Sequence, residues 1–266
     1  MSAARDILRA LDAREPIDVP VLVLAAHPDD ETIGAGASLS LFRKLLIVHL
    51  TDGAPRDLRD ARTAGFDDAA SYAAARREEL RAALRAGQVA AELVELGAPD
   101  REAASMMPRL VALLRDALRR FTPACVITHA YEGGHPDHDT ACLVVRLACA
   151  TLEPPPALLE MTGYFANVTG EMIVGGFLGE PAALVASLTR SERARREAML
   201  DCFATQQATL APFRGIETEA FRLAPPIDFG APPNPGPLWY ERYGWDIDGA
   251  RWRALAREAR ATCGAG

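Results

Sequence analysis

The chain has no hydrophobic run long enough to cross a bilayer, no internal repeat, no low-complexity tract and no excess of positive charge. Its 266 residues carry a formal net charge of −7. An acidic surface gains nothing by approaching nucleic acid or an anionic membrane, so neither is an expected partner. The arginine-dense stretch from Arg190 to Arg196 is broken by Glu192 and followed by Glu197, and it reads as a solvated helix face. Paired cysteines are missing too: Cys125, Cys142, Cys149, Cys202 and Cys263 are scattered, odd in number and without a C-x-x-C spacing. They read as small core residues in a reducing compartment, not as a disulfide framework or a thiolate metal site. The first twenty residues, charged at Arg5, Asp6, Arg9, Asp12, Arg14 and Glu15, contain no signal-peptide core. A cytoplasmic protein with no integral membrane segment is expected, and nothing in the sequence excludes a homo-oligomer. A phosphate-binding glycine loop is also absent. Gly34-Ala35-Gly36 lies downstream of His27 and no third glycine completes G-x-G-x-x-G, so a dinucleotide-dependent oxidoreductase is not expected.

What the chain does have is apolar content of 49% with a mean hydropathy near zero, enough for a sizeable core. From residue 19 onward, short apolar runs alternate with amphipathic ones. The runs Val19–Ala25, Leu45–Leu50, Ala91–Leu96 and Ala124–His129 predict buried strands. Thr32–Phe42, Ser71–Ala86, Ser105–Arg120 and His138–Ala150 predict the helices between and after them, with Ser71 as an N-cap and Gly87 just past a C-terminus. Strands and helices in that alternation imply βαβ units, and hence an α/β, Rossmann-like, mostly parallel sheet flanked by helices. After Pro154-Pro155-Pro156 the character changes. Ala157–Phe165 and Glu171–Phe177 read as further strands, Thr189–Gln206 and Arg251–Arg260 as helices, and Ala224–Pro237 as a helix-free, proline-rich segment. The aromatics that follow it, Trp239, Tyr240, Tyr243 and Trp245, suit either a stacking wall or an anchor into the core. The expected organisation is a single domain over 1–266, with a core of about 19–150 and a C-terminal elaboration over 151–266.

Two clusters carry the chemistry. Ala26-His27-Pro28-Asp29-Asp30-Glu31 follows the first strand-like run, and His135-Pro136-Asp137-His138 follows the fourth. In an open α/β sheet both would lie at the carboxyl edge of the strands, where ligands bind. Imidazoles and carboxylates together suit a divalent metal. Either cluster alone could be polar residues capping a helix, but their recurrence argues for one shared metal site.

These motifs resemble the LmbE/PIG-L family of zinc-dependent deacetylases acting on N-acetylated amino sugars. The resemblance spans Val19 to Ala148 and includes Leu50-Thr51-Asp52-Gly53, Arg76-Arg77-Glu78-Glu79, Leu96-Gly97-Ala98-Pro99-Asp100 and Thr128-His129. Beyond that, only Arg195 through Gln207 is similar. The resemblance implies one Zn2+ per chain held by His27, Asp30 and His138, with the fourth position of an open tetrahedral site left to water. It implies Asp29 as general base, His135 as protonated oxyanion donor and Asp137 as the partner that orients His135. Arg76 and Asp100 match positions that face substrate, and Tyr131 and Glu132 lie near enough in sequence to reach it. Arg76 pairing with Glu79 on its own helix is the competing reading. His49 and His129 read as core or supporting histidines. The implied function is hydrolysis of an N-acetyl group from a small amino-sugar conjugate by metal-activated water. The rival is a non-catalytic, metal-retaining Rossmann-like sugar-binding protein, against which the presence of both Asp29 and His135 argues.

Overall fold

The computed structural model describes residues 2–179 and 184–264. In the first half the chain forms β1 (Val21–Ala25), β2 (Leu45–Thr51), β3 (Glu92–Ala98) and β4 (Cys125–His129), where the apolar runs predict them. Val19 stays 42% exposed, and the first strand begins only after Pro20. The second half adds β5 (Ala157–Met161), β8 (Leu184–Ser187) and β9 (Thr218–Leu223) to the same sheet, while β6 (Tyr164–Ala166) and β7 (Met172–Val174) form a separate hairpin. The sheet order is β3-β2-β1-β4-β5-β9-β8, parallel as far as β5 and antiparallel beyond it. The expected mostly parallel α/β sheet is therefore present. The expected strand Ala157–Phe165 breaks at Thr162-Gly163, and β8 and β9 were not foreseen.

The strand order reverses between β1 and β4, which opens the crevice at their carboxyl ends. Alternate residues of β1 face opposite cores. Leu22 and Leu24 pack with α5 (Met107–Phe121), α6 (Pro136–Cys149) and α9 (Gly249–Cys263), whose members include Leu114, Val144 and Trp252. Val21 and Val23 pack with α1 (Ser2–Ala13), α4 (Ala69–Ala86) and α7 (Arg190–Asp201) through Leu11, Leu84 and Leu200. Helix α1 was not foreseen; its charges hide the spacing of Ala4, Ile7 and Leu11, which bury one face.

The expected helix Thr32–Phe42 is cut to α2 (Asp30–Ala35) plus one 3-10 turn at Leu39–Leu41. The cause is competition for the next helical bond. The Ala37 N–H donates to the Glu219 carboxylate at 2.6 Å, and the Ile33 carbonyl accepts from Arg196 at 3.0 Å, so the two groups that would continue the helix are both taken. In α4 the N-cap is Asp68, which accepts from the Ser71 N–H at 2.8 Å, and the left-handed residue at its far end is Gln88, not Gly87. Short helices α3 (Arg59–Thr63) and α8 (Gln207–Leu210) lie in the connecting segments.

Trp252 of α9 is fully buried, and its indole N–H donates to the Pro136 carbonyl and the Thr140 hydroxyl, both at 3.0 Å. It thereby fixes the first turn of α6. Trp252→Ala is expected to lower stability by about 3–5 kcal/mol, the usual cost of truncating a buried aromatic. Equilibrium urea denaturation measures this, and an unchanged midpoint would show that α6 does not depend on α9.

Candidate metal centre

β1 and β4 are parallel neighbours with Leu24 opposite Thr128, so the segments that leave them emerge side by side. After β1 the chain turns on itself: the N–H groups of Asp29 and Asp30 donate to the His27 carbonyl at 3.0 and 3.3 Å. After β4 the chain crosses Gly133 and Gly134 into α6, which Pro136 opens and His135 precedes. Gly134 is required sterically, because a Cβ there would lie 1.9 Å from the Tyr164 carbonyl oxygen.

Asp30 joins the two segments. Its Oδ2 accepts the His27 N–H at 2.8 Å and lies 3.0 Å from His27 Nδ1, while its Oδ1 lies 3.1 Å from His138 Nε2. His27, Asp30 and His138 are thus brought into direct contact, all buried. Two overlapping groupings have ligand atoms within 4.8 Å of one another around this contact: His27 with His135 and His138, and Asp30 with His129 and His138. A third, His27 with Asp100, His135 and Asp137, extends the cluster to one side. The Oδ1 of Asp100 is buried and has no hydrogen-bond partner; it lies 3.2 Å from His27 Nε2 without the alignment of a bond. Nitrogen and oxygen donors massed this densely, with an orphaned carboxylate oxygen among them, fit a divalent cation.

The charges confirm the crowding. Burial works against a charge on His27, but the Asp100 and Asp30 carboxylates outweigh it and hold the imidazole well above its ordinary value of 6.5. Burial likewise raises Asp30, but His138, His129 and His27 reverse this and hold it well below the usual carboxylate range. His129 and His135 go the other way: burial, with His138 beside the one and His27 beside the other, lowers both well below 6.5. His129 Nε2 accepts the Ala26 N–H at 3.0 Å, and its ring stacks on His138 with centroids 4.1 Å apart. It is a support beneath the cluster.

Asp29 has the geometry of a positioned group. It precedes α2 but makes no capping bond, and its backbone takes φ 154° and ψ −25°, a conformation L-residues rarely hold. Two buried groups maintain it. The Arg76 guanidinium donates to Asp29 Oδ2 at 2.9 Å, to the Pro28 carbonyl at 3.0 Å and to the Gly53 carbonyl at 2.8 Å. The Glu31 carboxylate accepts the Asp29 N–H at 3.2 Å and lies 3.0 Å from His49 Nε2. Gly53, at φ 64°, leaves the room that this needs: a Cβ there would meet Arg76 Cζ at 3.0 Å. Burial pushes the Asp29 carboxyl up to about 8, with Arg76 resisting and Asp30 adding to the rise.

Several expected site residues lie where other work occupies them. Arg76 was expected to face a sugar or pair with Glu79; its terminal nitrogens are instead engaged beneath Asp29, and Glu79 accepts from Thr205 at 2.7 and 2.8 Å. Asp137 was expected to orient His135. Its carboxylate lies 3.9 Å from His135 Nδ1, too far to bond, and instead lies 3.2 Å from His27 Nε2 and accepts the N–H groups of Arg101 and Ala103 at 2.7 and 3.2 Å. The Asp137 backbone N–H, not the side chain, orients His135 by donating to Nδ1 at 3.2 Å. Tyr131 and Glu132 were expected at the substrate. Tyr131 turns inward, its ring 5.2 Å from Trp252 and its hydroxyl donating to the Ala231 carbonyl. Glu132 is buried and accepts the Leu178 N–H at 2.6 Å. Asp100 does face the centre.

A cavity of about 950 Å³ opens over the centre. The sequence carries no sign of Tyr164, whose ring packs edge-on against His138 with centroids 5.3 Å apart, because nothing near it marks a site. The aromatics after the proline-rich segment divide between the two readings: Tyr243 and Trp245 stack at 4.8 Å and line the cavity, whereas Tyr240 is fully buried. Arg101 gathers the mouth, pairing with Asp57 at 2.9 Å and Asp60 at 2.6 Å and lying 4.7 Å from the Trp245 ring centroid.

A family model described as PIG-L, GlcNAc-PI de-N-acetylase, matches residues 22–149. No curated protein sequence matches the chain. Among solved structures, the zinc-inhibited form of teicoplanin deacetylase is 19% identical, with 78% of this chain and 100% of that chain covered and a TM-score of 0.55. N,N'-diacetylchitobiose deacetylase from Pyrococcus horikoshii, complexed with an inhibitor, is 18% identical over 84% of this chain and 92% of that one, TM-score 0.55. The 4-carboxy-2-hydroxymuconate hydratase of Pseudomonas putida is similar as well, at 19% identity over 79% and 98%, TM-score 0.53. At these identities the likeness establishes a shared fold.

The protons that His27 and Asp29 retain in the absence of metal compete with a cation. Both groups are raised, Asp29 to about 8, so each is protonated at and below neutrality and gives up its proton as pH climbs through the raised value. Zinc binding should therefore release protons near pH 7 and tighten as pH rises toward about 8. Calorimetry in buffers of different ionisation enthalpy reads this directly; binding with no buffer dependence would show that neither group loses a proton to the metal.

Proposed function

The chain carries a domain of the PIG-L (LmbE-like) family over residues 22–149, and from that premise we propose that it is a metal-dependent amidohydrolase that removes an N-acyl group, acetyl above all, from an amino-sugar conjugate. The observation that carries the reading is Asp29: a buried carboxylate in an unfavourable backbone conformation, gripped by Arg76, beside the contact of His27, Asp30 and His138. A protein that only binds sugar has no use for it. In this reading one zinc ion per chain is held by His27, Asp30 and His138, with Asp100 and His135 close enough to complete or adjust the set. The whole chain acts as one unit, since the sheet takes strands from both halves.

A divalent metal here supplies Lewis acidity and lowers the pKa of water. Asp29 accepts the proton of the attacking water. Positive charge beside its carboxyl lowers it from about 8 toward the neutral range in which a general base works best. Because His135 Nδ1 accepts the Asp137 N–H, its neutral form carries the proton on Nε2, on the side of the ring that faces Asp100. That N–H donates to the acyl oxygen as it gains charge. The role expected of a protonated imidazole thus passes to a neutral one, consistent with the burial that lowers its pKa. The Asp137 carboxylate holds His27 and the turn at Arg101 to Ala103. A small, uncharged, N-acylated sugar conjugate fits a site whose acidic groups are balanced by imidazoles, arginines and the cation.

Assaying free amine and carboxylate released from N-acetylated amino sugars by the zinc-loaded protein tests this. His27→Ala and His138→Ala are expected to lose metal; full metal content in both would remove them as ligands. Asp29→Asn should keep metal and lower kcat by roughly 10²–10⁴. A near wild-type rate at full occupancy would make Asp29 structural. For His135→Ala, retained metal with kcat down by roughly 10²–10³ and KM little changed is expected. If metal is lost instead, His135 is a ligand.

A further inference from the structure

The cavity extends well past the metal centre, and its far part differs in chemistry. It can be followed contact by contact. The Tyr164 ring packs against both His138 and Phe213, with centroids 5.3 and 5.7 Å away. Phe213 neighbours Ile33, since Arg196 binds the backbone carbonyls of both at 3.0 Å. The segment running into α8 then closes the end and meets α4, where the Gln206 amide donates to the Tyr72 hydroxyl at 2.6 Å. The Tyr72 ring lies 5.6 Å from Phe66, which belongs to the loop after α3. Tyr164, Phe213, Ile33, Gln206, Tyr72 and Phe66 all line this cavity.

Several polar groups of this far part are already engaged by the protein, whereas Arg59 and Thr209, which also line the cavity, stay exposed. The Thr205 N–H and hydroxyl both go to Glu79, the Gln206 amide goes to Tyr72, and Asp60 is held by Arg101. Between these polar groups the cavity offers a ligand an apolar surface, the half-buried side of Ile33, Ala64, Phe66 and Tyr164 with the exposed methyl of Ala208. A cavity of about 950 Å³ stands at the upper end of the roughly 300–1,000 Å³ that encloses drug-sized ligands, far more than one sugar ring needs.

We propose that the substrate of this site is an amino sugar bearing an apolar group, seated in the compartment bounded by Ile33, Phe213, Ala208 and Phe66. This rests on the amidohydrolase reading above. The apolar group is either an aglycone on the sugar or a longer acyl chain on its nitrogen; the chemistry recognised is the same. Burial of a hexyl chain against these side chains lowers the barrier relative to a methyl group by the apolar area removed from water.

The test compares kcat/KM of the zinc-loaded protein for the methyl and hexyl glycosides of N-acetylglucosamine, and for N-acetyl and N-hexanoyl glucosamine. At least one hexyl compound should be preferred over its short partner by about tenfold or more, and which one identifies where the chain is attached. Ala208→Glu and Phe66→Ser, changes on two separate walls, should each bring that ratio toward one. Equal turnover of long and short compounds overturns the proposal while leaving the amidohydrolase reading intact. If no compound is hydrolysed at full zinc content, that reading falls. The compartment is then judged by calorimetric binding of the two glycosides, where equal affinities overturn it and a hexyl preference abolished by Ala208→Glu sustains it.

Discussion

Asp30 shares one carboxylate between two imidazoles that come from strands far apart in sequence, and the carboxylate must stay ionised while almost wholly removed from water. Burial alone would neutralise it; His138, His129 and His27 prevent that. Each of them is in turn held by something fixed. His129 is fixed by the Ala26 N–H, His27 by the Asp137 carboxylate, and His138 by the first turn of α6. The register of β1 against β4, the turn at His27 and the anchoring of α6 are all conditions for one buried anion to persist. The same density of donors is why a cation belongs there.

The second half of the chain does more than extend the sheet. Trp252 from α9 ties down the start of α6, Tyr164 from the β6–β7 hairpin closes over His138, and Glu219 with Arg196 ends α2 after Ala35. The motif-bearing segments therefore take their final geometry from residues that carry no motif.

That division explains what could be read beforehand. Among the parallel strands, β1, β2 and β4 were legible because each is a largely apolar run buried along its whole length, whereas β3, partly exposed at the sheet edge, was legible from its apolar residues alone. The contact of His27, Asp30 and His138 was legible because two histidine-carboxylate clusters followed two such runs. β8 and β9 were not: β8 has only four residues with alternating exposure, and β9 interrupts its apolar residues with Glu219 and Arg222, whose partners, the Ala37 N–H and Glu160, lie far off in sequence. The partners of Arg76 and Asp137 were not legible either. Both depend on backbone atoms, the carbonyls of Pro28 and Gly53 and the N–H groups of Arg101 and Ala103, and a backbone atom leaves no mark on the sequence. Tyr131 failed for the opposite reason: it is close to the site in sequence and turned away from it in space.

A hydratase shares this fold with two deacetylases, so the sheet alone does not choose a reaction; the groups at its carboxyl edge and the walls above them do. Arg101 binds those two levels together. Its side chain holds Asp57, Asp60 and Trp245 at the mouth, while its own N–H donates to Asp137, the residue in contact with His27. Arg101 thus couples rim to floor, beside the direct contact of Trp245 with His135. A loop exchange over 54–70 that dropped Asp57 and Asp60 would release the guanidinium and slacken the histidine beneath it. Retuning which compounds enter is accordingly a task for single side chains on the walls, and wholesale transplantation of the rim from a relative carries its cost straight to the centre.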